Sequence, residues 1–153
     1  MSDSPEMVDL PALTLIGLEF VGSHAEVDFP GLWHVFINRV AELGIDVHQP
    51  HTLYGASGPA PDGRPGHFAY LAGAAGDPAN VPEGMTVWQV PAGTYACRPS
   101  TIEQVHEVFG GLAAWAQASA DWQPTGRYLE VYDRDFPHTK VMQVHLRLDR
   151  RAA

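Results

Sequence analysis

The segment Arg127-Tyr128-Leu129-Glu130-Val131-Tyr132-Asp133 sets one carboxylate between two phenols at alternate positions. Successive side chains of a strand point to opposite faces, so Leu129 and Val131 share one face while Tyr128, Glu130 and Tyr132 share the other. If Leu129 and Val131 face the helices, Glu130 stands between tyrosines on the opposite surface. Two readings fit: the ordinary solvated side of an antiparallel sheet, or a carboxylate in an aromatic-lined pocket, suited to a cationic or polarised ligand. Further rings recur along the chain. Phe68 and Tyr70 alternate on one predicted strand, Trp88 lies on another, and Tyr95 follows a Pro-Ala-Gly turn. Singly each fits a core position, as do Trp33 and Trp115 on predicted helices. Together they supply rings enough to wall a pocket for flat, hydrophobic molecules.

Other chemistries lack their signatures. His48 and His51 are separated by Gln49-Pro50, which denies them a shared helical face, and no His-Glu-x-x-His segment occurs. No metal site and no cofactor is expected. There is no Gly-x-Ser-x-Gly elbow, Cys97 has no local catalytic motif, and Gly55-Ala56-Ser57-Gly58 lacks the lysine of a phosphate loop. Glu19, a second strand carboxylate, reads as a surface residue.

The chain that positions these groups has 153 residues, 45% hydrophobic and 18% charged, which is globular composition. Its formal charge of −9 repels phosphate backbones and anionic membranes, so direct nucleic-acid binding is not expected. The single cysteine excludes an internal disulfide. Neither a signal peptide nor an apolar run of spanning length is present, and a cytoplasmic protein is expected.

Leu13–Val21 reads as a strand. Asp28 can cap a helix with Pro30 in its first turn, whose stripe Leu32, Phe36, Val40 and Leu43 runs to a stop at Gly44. Strands His51–Ala56 and His67–Ala74 follow, separated by a turn-rich loop. Met85–Val90 and Thr94–Arg98 read as a hairpin. Ser100-Thr101-Ile102-Glu103 reads as a capping box opening a helix with the stripe Ile102, Val105, Phe109, Leu112 and Ala116. Strands Arg127–Asp133 and Val141–Leu148 close the chain. The order strand, helix, strand, strand thus occurs twice, in pseudo-repeats 12–76 and 84–149, within one domain of residues 12–150 preceded by a flexible N-terminus, residues 1–11. The expected fold is α+β: an antiparallel sheet, two helices on one face, and a ligand cleft between the modules.

These segments resemble the GyrI-like small-molecule-binding domain family. The resemblance rests on Leu15-Ile16-Gly17-Leu18-Glu19-Phe20, Leu32-Trp33, Thr52-Leu53-Tyr54-Gly55, Phe68–Gly73, Pro82–Met85, Val90–Ala96, Trp115 and Leu129–Asp133, in that order across residues 12–149. Related domains serve as effector modules of AraC- and MerR-type regulators, as gyrase inhibitors and as stand-alone drug-binding proteins. The resemblance implies that Glu130 meets cationic aromatic ligands with Tyr132 in support, and that Tyr70 and Tyr95 lie at the cleft. Phe68 and Trp88 are added as ligand-contacting rings on local grounds. The leading expectation is a binding module for hydrophobic, often cationic, small molecules.

Two alternatives use the same chain. In a hydrolase opening cyclopropane rings of DNA-alkylating natural products, Glu130 would orient or deprotonate water while Tyr132 assisted. In a gyrase-inhibitor-like module, the acidic surface would meet a protein partner.

Overall fold

A computed structural model describes residues 4–152. In chain order the elements are β1 (Glu6–Leu10), β2 (Leu13–Ser23), α1 (Phe29–Ile37), β3 (Leu53–Pro59), β4 (His67–Ala75), β5 (Thr86–Val90), β6 (Gly93–Ser100), α2 (Val105–Ala118), β7 (Trp122–Tyr132), α3 (Phe136–Thr139) and β8 (Met142–Arg150). The strands form one antiparallel sheet in the order β1-β6-β8-β7-β3-β4-β2-β5. The fold is α+β, with the β3–β7 pair joining the two halves at its centre.

Connectivity forces this sheet to curl. β1 and β2 are six strand positions apart, which in a flat sheet is ~29 Å. Only Pro11 and Ala12 link them, and three Cα steps reach at most ~11 Å. The link from β5 to β6 makes the same demand in the opposite direction. The sheet therefore rolls until its edges approach.

Each strand serves two cores as a result. Inside the roll, Leu15, Ala56, Leu71, Tyr95 and Leu129 pack together. On the outer face, α1 closes over Ile16, Tyr70 and Ala72 with Phe36 and the adjoining Val40. There too α2 sets Leu112 and Ala116 on Met142, Val144 and Leu146. The neighbours Leu15/Ile16, Leu71/Ala72 and Leu129/Glu130 show the period-two alternation directly.

Several expectations need correction. Leu129 and Val131 face the inside of the roll, not the helices, so it is Glu130 that lies on the helix side. The expected hairpin does not form: β5 pairs with β2, and β6 pairs with β1 and β8. The Pro91-Ala92 link crosses the seam of the roll instead of turning the chain back on itself. Residues 6–10, expected to be part of a flexible N-terminus, form edge strand β1 against β6, because Val8 and Leu10 pack on the inner core.

The helix boundaries also move. α1 starts as expected, with the Asp28 carboxylate accepting from the Gly31 amide at 3.1 Å. It ends at Ile37, where Asn38, a poor helix former, bonds back to the His34 ring. A 3₁₀ turn over Val40–Leu43 then carries the stripe to Gly44, which takes the left-handed conformation at φ 79°. The capping box is absent. Ser100 is held in the ladder opposite Met142, its hydroxyl donates to the Thr101 carbonyl, and α2 begins only at Val105. Ile102, expected in the buried stripe, is exposed.

Candidate functional site

Between α1 and α2, above the β4-β3-β7 floor, lies a cavity of about 1020 Å³. Trp33 and Ile37 of α1 line one side, and Val105 and Phe109 of α2 the other. Each helix is committed to its own half of the sheet, α1 to β2 and β4, α2 to β6, β7 and β8. The gap between them is the cleft.

Glu130 stands in the floor and is only 9% exposed. Its Oε1 accepts from the Tyr70 hydroxyl at 2.7 Å and from the Tyr132 hydroxyl at 2.8 Å. The Tyr70 oxygen in turn accepts from Trp33 Nε1 at 3.0 Å. This chain ties α1, β4 and β7 together through side chains alone. Among the described residues Oε2 has no hydrogen-bond partner, and no unpartnered polar side-chain atom is sealed from solvent. The second oxygen therefore keeps access to the cleft.

Gly55 makes the geometry available. It sits on β3 between Ala72 of β4 and Glu130 of β7. A Cβ there would overlap both Glu130 Oε1 and the Tyr70 hydroxyl. Tyr70 is in register with Ser57, so its ring crosses the bare Gly55 position to reach the carboxylate.

Burial raises the Glu130 carboxyl above the usual carboxylate range, and the bonds from Tyr70 and Tyr132 pull it back in part. Burial, reinforced by the neighbouring carboxylate, lifts both phenols above their ordinary range. They remain protonated donors at neutral pH. The surrounding rings meet edge to face: Phe29 on Tyr70 at 4.8 Å, Trp33 on Tyr132 at 5.2 Å, and Tyr132 on Phe136 at 5.1 Å between centroids. Such a wall offers negative ring faces to a cation and flat apolar surface to an aromatic body.

Of the six residues singled out from sequence, Phe68, Tyr70, Glu130 and Tyr132 line this cleft. Tyr95 and Trp88 do not join them. They lie on the inner face, Tyr95 buried against the ring of His145 and Trp88 donating to the exposed Glu19 at 2.5 Å. Trp33, read from sequence as core, is a cleft wall and a hydrogen-bond donor. Its signal was a second apolar stripe, Phe29, Trp33 and Ile37, at a spacing of four beside the core stripe. Phe109, Tyr128 and Phe136 also line the cleft, as do His24, stacked on Phe68 at 4.3 Å, and four more histidines. Among the described residues no three His, Cys, Asp or Glu side chains converge as metal ligands. No described helix is long and apolar enough to cross a membrane.

The family model for the GyrI-like small molecule binding domain matches residues 3–148. The transcriptional regulator BrlR of Pseudomonas aeruginosa is 35% identical over 136 residues, covering 85% of this chain and 48% of BrlR. The chain thus spans about half the length of that relative. Among solved structures, SAV2435 bound to tetraphenylphosphonium superposes with a TM-score of 0.72 at 16% identity, over 95% of this chain and 93% of that one. A hydrolase encoded by lin2189 of Listeria innocua superposes at 0.53 and 7% identity, over 95% and 92% of the two chains. At these identities the superpositions speak to the fold.

Proposed function

The chain belongs to the family of GyrI-like small molecule binding domains, and from that premise we propose that it binds hydrophobic, aromatic, often cationic molecules between α1 and α2, with Glu130 as countercharge. One observation carries the reading. A buried carboxylate has one oxygen fixed by two phenols and the other open to a large cleft walled by rings. The tetraphenylphosphonium on the structural neighbour SAV2435 supports the ligand class.

The physics favours a cation over a neutral body of equal shape. Burial of Glu130 is a cost of the empty site that a cation relieves. At ~4 Å and an effective dielectric near 20 the attraction is about 4 kcal/mol before the ligand's desolvation is subtracted. Ring contacts to the cation add about 0.5–2 kcal/mol and require no single fit. A binder of this design takes several ligands with micromolar affinity, which suits drug or toxin sequestration.

Titration calorimetry with tetraphenylphosphonium and with neutral triphenylphosphine oxide tests the assignment. Glu130→Gln keeps shape and an acceptor oxygen, and is expected to weaken the cation about 10- to 100-fold, or ~1.4–2.7 kcal/mol, while sparing the neutral compound. Equal losses for both compounds would remove the electrostatic basis.

A hydrolytic reading rests on the same carboxylate. A buried carboxyl held above its usual range, with one oxygen open to the cleft and two phenols beside it, can activate water or protonate a leaving group. Incubation with a cyclopropane-containing alkylator decides it: a water adduct accumulating beyond one equivalent by mass spectrometry supports turnover, and binding without adduct leaves a binding protein.

A further inference from the structure

We propose that the inner face of the sheet carries a second ligand site, separate from the cleft, that takes the carboxylate head of a small organic acid. The site is a hollow of about 40 Å³ at the mouth of the roll, where Trp88, Tyr95, Arg127 and Arg147 meet. A water molecule occupies ~30 Å³ in the liquid, so the hollow admits a head group and leaves the rest of the ligand outside, against the Trp88 indole.

Three observations carry the assignment. The first concerns charge. In a chain with 18 acidic residues against nine basic ones, no described carboxylate lies within 4.0 Å of either Arg127 or Arg147. Arg147 spends one N–H on the Ala92 carbonyl at a long 3.5 Å, and the Arg127 guanidinium has no hydrogen-bond partner among the described residues. Two guanidiniums with unspent donors at one hollow form an anion site, because each fork matches the two oxygens of a carboxylate.

The second observation is Tyr95. It is 2% exposed, yet its hydroxyl has no hydrogen-bond partner among the described residues. No such atom is sealed off, so the hydroxyl opens onto the hollow that its ring lines. A phenol this deeply placed without a partner is uncommon, and its O–H adds a third donor to the two guanidiniums, with no carboxylate lining the hollow. Burial raises the phenol above its ordinary range against the pull of Arg147 and Arg127, so it stays a donor at neutral pH.

The third is backbone shape. Gly93 lies under Arg147 and Gly58 under Arg127, and a Cβ at either would come within 3.1 Å of the guanidinium nitrogen above it. Both glycines let the arginines lie flat at the rim. The carboxylate that touches the site's wall, Glu19, does not itself line the hollow and accepts from the Trp88 indole nitrogen.

The test titrates the full chain with benzoate and with neutral benzamide, following the Trp88 indole and arginine Nε–H signals by NMR. Benzoate is expected to saturate those signals at millimolar concentration, and benzamide to leave them unmoved. Arg147→Gln and, independently, the more exposed Arg127→Gln should each weaken benzoate about tenfold, and Tyr95→Phe about threefold. Glu130→Gln should leave benzoate binding unchanged, which separates this site from the cleft. Binding of both compounds alike, indifference to both arginine variants in folded protein, or loss of benzoate in the Glu130→Gln variant would each overturn the proposal.

Discussion

On the helix side of β7, Glu130 is held by two phenols with a wide cleft above it; one residue earlier on the same strand, Leu129 is packed among Leu15, Leu71 and Tyr95 inside the roll. Both side chains are buried, and burial serves different ends. The inner core is closed by the curl that the two-residue links impose, so apolar contact fills it. The outer face is covered by two helices that each belong to one half, and the space between them stays open. A polar group is tolerable there because its hydrogen bonds come from the walls. The sheet's middle is therefore largely closed by packing on one side and left beneath an open cleft on the other.

Filling or emptying each side should separate the two roles. Gly55→Ala drives a methyl into the Glu130–Tyr70 bond, so the ends of both side chains must shift and the bond is lost. It is expected to cost about 3 kcal/mol, near 10 °C in Tm for a chain of this length, and to abolish binding of a cationic aromatic probe. Leu129→Ala opens a cavity on the inner face and should cost about 3 kcal/mol as well. Its cation affinity should stay within about threefold of the parent. Thermal unfolding and calorimetry on the pair check this; equal losses of affinity would show that the faces are not independent.

Hydroxyl deletion gives a finer contrast. Tyr132→Phe removes a hydrogen bond to a buried carboxylate and should destabilise by about 1.5–2 kcal/mol, because a charged acceptor loses one of its two donors. Tyr95→Phe removes a hydroxyl with no protein partner, and stability by denaturant titration should change by less than about 0.5 kcal/mol. A large loss at Tyr95 would mean that its hydroxyl is satisfied within the fold.

Much of this arrangement was legible in the sequence, and the misses have physical causes. Alternation placed Tyr128, Glu130 and Tyr132 on one face, but which face meets the helices depends on the roll. The roll depends on which strands pair, and local pattern does not encode that. The same gap produced the false hairpin: 86–90 and 93–100 are good strands beside a turn-like link, and only the far edges of the sheet reveal their partners. Residue type for Trp88, and the family resemblance for Tyr95, put both with Glu130, whereas pairing puts them on the inner face. Val8 and Leu10 were hidden in the sequence by Asp9 between them and Glu6 just before them. Gly55 carries no side-chain signal at all, and its role appears only once β4 and β7 flank it.

Protons read the two faces with opposite sign. Burial holds the Glu130 carboxyl above its unfolded value of ~4.3, so between the two values the native chain binds more protons than the unfolded one. Stability from this group is complete below ~4.3 and is lost as pH rises through the raised folded value. His145, buried on the inner face, is held below its unfolded value of ~6.5, despite a bond to the Leu129 carbonyl and the nearby Glu6. There the unfolded chain binds the extra proton, so stability is lost as pH falls below ~6.5. Chemical unfolding across pH 4–8 of the parent, Glu130→Gln and His145→Gln proteins should separate these slopes. Glu130→Gln should gain on the parent as pH rises, and His145→Gln should gain on it as pH falls. His24, His48, His51, His106 and His138 also face the cleft. Setting parent against variant isolates the contribution of the substituted carboxyl. A cation in the cleft favours the ionised carboxylate, so its affinity should fall toward acid pH in the parent by more than in Glu130→Gln. If both proteins lose affinity in parallel, a group other than Glu130 sets the pH response of the site.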